Sequence, residues 1–248
     1  MKKGIYLIPN LLTISGMFCG FYSIIKSFNG EYYIAALAIF FATLFDLVDG
    51  KIARLTNTTS QFGMEMDSLA DLLSFGLAPA ILVYFWALIP MKKIGWLIAF
   101  LLVICGAMRL ARSNVISKTS SDYFFIGLPI TASAGFISSS VLAFYRYFPD
   151  LSINTFHPIA PIIVFFLSIL MVSTVQYESL KKLNFGKRMP FKALIYSVLI
   201  LYVLAIEPEL SLFIGFSSYI LSSIVKLIFD ILFRHRNLQE EYISQENY

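Results

Sequence analysis

Charge is scarce in this sequence. Only 14% of its 248 residues are Asp, Glu, Lys or Arg, whereas soluble domains average about 25%. So few charges cannot cover the surface of a soluble fold of this length, and that class is set aside. Histidine and cysteine are scarcer, with two of each. Cys19 and Cys105 lie inside apolar runs without CxxC or metal spacing, the pattern of small buried side chains. His157 and His235 fall in loop or tail positions, away from any cluster of ligands. A cleavable signal is lacking too: Met1-Lys2-Lys3 leads into Pro9-Asn10, and no small-residue cleavage site closes a short apolar region. A net charge of +4 is a mild basic excess. In a membrane protein it reflects orientation signals rather than a polyanion site, so no nucleic-acid partner is expected.

What the sequence has in abundance is apolar length. Apolar residues make up 58% of the chain, with 24 Phe and 14 Tyr. They gather in long runs, and about 20 such residues cross the roughly 30 Å hydrocarbon layer as a helix. The pattern predicts an all-α polytopic membrane protein of eight helices. Their expected bounds are 8–28, 32–55, 62–89, 94–116, 126–148, 157–180, 191–206 and 210–233. Breaks are expected at Asn29-Gly30, Pro90, the polar stretch 117–122, Pro149-Asp150, the stretch 184–190 and Pro208. The whole chain, 1–248, reads as one domain: a six-helix catalytic core over 1–180, two additional helices over 181–234 and a polar tail over 235–248.

Eight helices put both termini on one side, and the basic residues agree. That side receives 15 of the 19 Lys and Arg, from Lys2 and Lys3 through Lys51, Arg109 and Arg112 to Arg236. The other side receives Lys26, Lys92, Lys93 and Arg146. The positive-inside bias then places the termini in the cytoplasm of a multi-pass cell-membrane protein.

The unusual residues are four acids in apolar helices. Asp46 and Asp49 are three apart and Asp67 and Asp71 four apart, so each pair shares one helix face. A carboxylate at membrane depth is costly without a partner, water or a metal. The second helix descends to a cytoplasmic turn and the third leaves it, so the pairs can face each other across an antiparallel hairpin. Four converging carboxylates call for cations. An all-oxygen set suits Mg²⁺ or Mn²⁺, and the missing His and Cys argue against zinc. Two such ions could hold a pyrophosphate during in-line displacement at phosphorus. Ion pairs with Lys51 and Arg54, or water-exposed helix ends, are the structural alternative. A cation-coupled transporter is a functional one, but its path should carry polar groups through the midplane, whereas these acids gather toward one face.

The order of these residues is specific. Asp46-Leu-Val-Asp49-Gly50-Lys-Ile-Ala53-Arg54, then eight residues, then Gly63-Met-Glu-Met-Asp67-Ser-Leu-Ala-Asp71, resembles the signature of CDP-alcohol phosphatidyltransferases at all eight signature positions. The resemblance implies that Asp46, Asp49 and Asp67 ligate metal. Asp71 would complete the metal site as its fourth acid and also act as general base on the acceptor hydroxyl. It further implies that Gly50 and Ala53 let the nucleotide approach the helix, that Arg54 contacts the pyrophosphate and that Ser60 contacts a phosphate oxygen. Gly63 belongs to the same CDP-lipid-binding segment. Pro9-Asn10-Leu11-Leu12-Thr13 is similar to the family's opening segment, which borders the nucleotide pocket and would bring Asn10 and Thr13 to it. The structural alternatives are a helix cap for Asn10, turn chemistry for Ser60, snorkelling for Arg54 and packing for the small residues. Gly16-x-x-x-Gly20 reads as close helix packing.

Arg109-Leu-Ala-Arg112-Ser-Asn114 and Gly127-Leu128-Pro129 are similar to elements of integral-membrane phosphatidylserine synthases, with Ser113 and Ile130-Thr131 as departures. That branch implies CDP-diacylglycerol or a CDP-archaeol-type ether lipid as donor, L-serine as acceptor, and a homodimer. Arg109 and Arg112 could bind the serine carboxylate bidentately, or they could snorkel. Glycerol phosphate or inositol phosphate would also attract arginines, so charge alone leaves sister transferases open.

Overall fold

A computed structural model describes residues 7–55, 60–117, 124–148, 159–178, 202, 204–222, 224 and 225. The first helix, Leu7–Phe28, and the second, Tyr32–Leu55, meet at a turn where Gly30 takes φ +78°, a left-handed conformation that glycine adopts freely. Lys26 and Glu31 pair across that turn at 2.8 Å. The two helices pack along each other. The small residues Ala35, Ala36, Ala38 and Ala42 of the second are buried and permit close approach.

The third helical run, Gln61–Met91, is the most buried of the long helices. It is not uniform. Its α-helical start, Gln61–Asp71, passes at Asp71 into a π-helical turn, Leu72–Leu77. An α-helical turn, Ala78–Val83, a second π-helical segment, Tyr84–Leu88, and a 3₁₀ turn, Ile89–Met91, complete it. Such π turns often mark functional positions because the extra residue redirects the side chains that follow. The first helix crosses this run closely. A side chain at Gly20 would strike Ser74, and Ser74 donates its hydroxyl to the Gly16 carbonyl at 3.1 Å. The Gly16-to-Gly20 stripe is thus a seam between the first and third helices.

The fourth helix, Lys93–Ser117, packs against the sixth, Ala160–Val172. The fifth, Ile130–Tyr147, packs against the second. Residues 208–222 are helical after a break at Glu207, where Pro208 was expected to interrupt the chain. There Phe216 packs on Gly135 of the fifth helix. Among the described residues four helices are long and apolar enough to cross a membrane: Asn10–Phe28, Tyr32–Ile52, Gln61–Met91 and Lys93–Ile116. Large apolar side chains such as Phe18, Phe28, Phe100 and Phe166 remain exposed on the outer faces, as lipid-facing surfaces require.

Two expected helices end differently. The fifth starts at Ile130 rather than at 126, because Gly127 takes φ +82° and Pro129 lies at extended ψ ahead of the helix. The sixth stops at Val172 rather than at 180. Its chain turns extended at Ser173, and Gln176–Glu178 pairs antiparallel with Phe124–Ile126. This short ladder is a departure from an all-α expectation in an otherwise helical chain. The expected breaks at 149–150 and 184–190, most of the seventh helix and the tail from 235 lie outside the described residues.

Candidate active site

The site forms where the second helix ends and the third begins. Asp46 and Asp49 come from the second, Asp67 from the third, and each offers a carboxylate oxygen within 4.8 Å of the others. The helical spacing on each element creates this cluster, as the hairpin brings the two acidic faces together. Asp49 is only 4% exposed and accepts a 2.9 Å hydrogen bond from the Thr13 hydroxyl. Asp71 lies near enough to Asp46 to interact with it and lines the same cleft with Thr13, Ser74 and Phe75. Three acids therefore form the tight cluster, and Asp71 stands beside it.

Two full charges 4–5 Å apart repel by about 3–4 kcal/mol at an effective dielectric of about 20. Three acids so close must therefore share protons or a cation. The cleft measures about 10 Å³, the scale of one water molecule or a bare ion. Oxygen donors alone face it from these acids, a set that fits a hard divalent cation.

The neighbouring positions divide into those the fold joins to the cluster and those it uses for structure. Ser60 caps the third helix, accepting a 3.0 Å hydrogen bond from the Gly63 amide. A side chain at Gly63 would start 3.1 Å from the Ser60 hydroxyl and 3.7 Å from the Asn10 side-chain oxygen. Asn10, Ser60 and Gly63 thus converge, and a bare glycine keeps the space between them open. Gly50 is half-buried one residue beyond Asp49. The side chains of Ala53 and Arg54 lie outside the described residues, although their backbone continues the second helix.

The two arginines part company. Arg109, 9% exposed, lies close enough to Asp71 for the two charges to interact. Arg112 instead donates Nη1 to the Val172 carbonyl at 3.1 Å and Nη2 to the Ser173 carbonyl at 3.0 Å. These carbonyls end the sixth helix, where cationic donors are favoured. The Gly127-Leu128-Pro129 turn closes on the same place: Gly127 and Leu128 donate their amides to the Val175 and Leu170 carbonyls. Asn114 donates to the Ser68 hydroxyl at 2.8 Å and ties the fourth helix to the third. Ala42, Ala70, Ser74 and Phe75 also line the cleft. Sequence reasoning passed over these four, because only the helix crossing gives small or neutral residues a place in it.

The sequence model of the CDP-alcohol phosphatidyltransferases matches residues 6–228. The chain belongs to this family. Curated relatives narrow the comparison. A protein of Helicobacter pylori (strain ATCC 700392 / 26695) named CDP-diacylglycerol–serine O-phosphatidyltransferase is 39% identical over 225 residues, covering 91% of this chain and 92% of its own. An archaetidylserine synthase of Methanothermobacter thermautotrophicus is 38% identical over 172 residues, 68% of this chain and 69% of its own. A Bacillus subtilis CDP-diacylglycerol–serine O-phosphatidyltransferase is 36% identical over 176 residues, 71% of this chain and 92% of its own. The family's signature acids are the same ones that the hairpin brings together.

Proposed function

We propose that this protein transfers the phosphatidyl group of CDP-diacylglycerol, or of an ether-lipid analogue, to the hydroxyl of L-serine and releases CMP. The observation that carries the reading is the clustering of Asp46, Asp49 and Asp67, with Asp71 beside them, in a member of this family. The names of the relatives support serine as acceptor.

Asp46, Asp49 and Asp67 would hold Mg²⁺ or Mn²⁺, as two ions once the donor's phosphates add their oxygens, with Asp71 adjoining. Bound cations would neutralise the pyrophosphate and the departing phosphate. The donor's nucleotide lies along Gly50, Ala53 and Gly63, with Asn10 and Thr13 at its border and Arg54 and Ser60 toward its phosphates. Thr13 fixes the rotamer of Asp49, and Ser60 keeps the helix start in register for both tasks. Arg109 binds the serine carboxylate; Arg112 braces the end of the sixth helix behind it. Asp71 takes the proton from the serine hydroxyl as its oxygen bonds to the phosphorus bearing the lipid. The bond from that phosphorus to the bridging oxygen breaks, and CMP leaves with the electron pair. No covalent enzyme intermediate is needed.

The same reading has eight membrane helices, cytoplasmic termini and a site at the cytoplasmic face of the cell membrane. It rests on the distribution of Lys and Arg. Pairing as a homodimer rests on the family resemblance. Purified protein given CDP-diacylglycerol and serine should lose CMP release in excess chelator and regain it with Mg²⁺ or Mn²⁺. Full activity in chelator would remove the metal site.

A further inference from the structure

A second group of polar side chains lies next to this site and has no part in the reaction as described. Tyr177, in the strand Gln176–Glu178, is 0% exposed, and among the described residues its hydroxyl has no hydrogen-bond partner. Buried phenols nearly always find a partner, so an unpaired one next to a site points to a ligand. The Tyr177 ring packs on that of Tyr219, with centroids 5.7 Å apart and planes at 42°. Tyr219 comes from the helical stretch 208–222 and lies near enough to Arg109 for electrostatic interaction, as Arg109 does to Asp71. The chain thus runs from the proposed base through a buried guanidinium to two phenols. The strand bearing Tyr177 begins three residues after Ser173, whose carbonyl Arg112 holds. Its position is therefore fixed by the same fork that braces the sixth helix.

We propose that Tyr177 and Tyr219 form the wall of the acceptor pocket, with the Tyr177 hydroxyl donating a hydrogen bond to the amino-acid carboxylate that Arg109 binds. The inference rests on the serine-transfer reading and extends it to specificity. A guanidinium and a neutral phenol donor together suit a carboxylate, which serine carries and ethanolamine and glycerol lack. The inference also gives the C-terminal helices a task. Helix 208–222 closes the acceptor side of the site through Tyr219, anchored by Phe216 against Gly135 and by Glu207 accepting from the Tyr147 hydroxyl at 2.7 Å.

The test is steady-state CMP release by the full chain, with serine and CDP-diacylglycerol varied in turn, for the wild type, Tyr177→Phe and Tyr219→Leu. Tyr177→Phe removes one oxygen and keeps the packing. It should raise the serine KM about tenfold, the effect of losing one hydrogen bond to a charged group. The KM for the CDP-lipid and the unfolding temperature should stay as in the wild type. Tyr219→Leu should raise the serine KM in the same selective way and weaken discrimination against ethanolamine. A serine KM unchanged in Tyr177→Phe would overturn the proposal, and so would equal rises in both KM values. If the wild type releases CMP without dependence on serine, the serine reading itself falls and the pocket assignment falls with it.

Discussion

Asp71 and Asp49 line one cleft, yet their surroundings differ. Asp49 accepts the Thr13 hydroxyl and belongs to the tight cluster, whereas Asp71 adjoins Asp46 and faces Arg109. Asp71→Asn keeps size and some ligand capacity but cannot take a proton. Its turnover should fall by about 10²–10⁴-fold, the usual worth of general-base assistance, with a much smaller change in CDP-lipid affinity. A collapse of affinity with normal turnover of bound substrate would make Asp71 a ligand instead. Thr13→Val removes the donor to Asp49 and should raise the Mg²⁺ concentration giving half-maximal CMP release; an unchanged metal titration would contradict that role. The acids were legible in the sequence because carboxylates in apolar helices are costly and therefore conspicuous. The different surroundings of Arg109 and Arg112 were not. The i, i+3 spacing puts both on one face, but only tertiary structure brings the Val172 and Ser173 carbonyls to Arg112. Tyr177 gave no signal, since Val175-Gln176-Tyr177-Glu178 falls at the end of an expected helix and nothing in it places a tyrosine near the acids.

The elements were legible where apolar periodicity and strong breakers coincide. The first four helices agree with expectation within a few residues, punctuated by Gly30 and by Pro90. The expectation fails at the sixth helix, which it carries on to Leu180 although the sequence turns polar and alternating after Val172, in Ser173-Thr174-Val175-Gln176-Tyr177-Glu178. Alternation of apolar and polar residues suits a strand better than a helix. Here the Arg112 fork and the pairing with Phe124–Ile126 decide in favour of the strand. The Gly127 turn holds this junction together. Gly127→Ala would force a side chain into a left-handed conformation and onto the Met171 carbonyl. It should cost about 1–3 kcal/mol, read as earlier thermal unfolding in detergent. Unaltered stability would show that the turn relaxes freely. The change to π-helical geometry at Asp71 was equally invisible to periodicity, which assumes one pitch throughout.

For the whole molecule, the distribution of basic residues makes a separate claim about orientation. With Cys19 and Cys105 replaced, single cysteines at positions 57 and 154 should label from opposite sides of the membrane, the first from the cytoplasm. Labelling from one side would remove the topology and leave the acidic cluster intact. The central claim is the reaction. Its most direct test supplies the purified protein with CDP-diacylglycerol and, in turn, serine, ethanolamine, glycerol phosphate and inositol phosphate, and measures CMP release. The account predicts metal-dependent release with serine and far less with each of the others. Preference for another alcohol would move the protein to a sister transferase, and no release with any of them would contradict the account at its base.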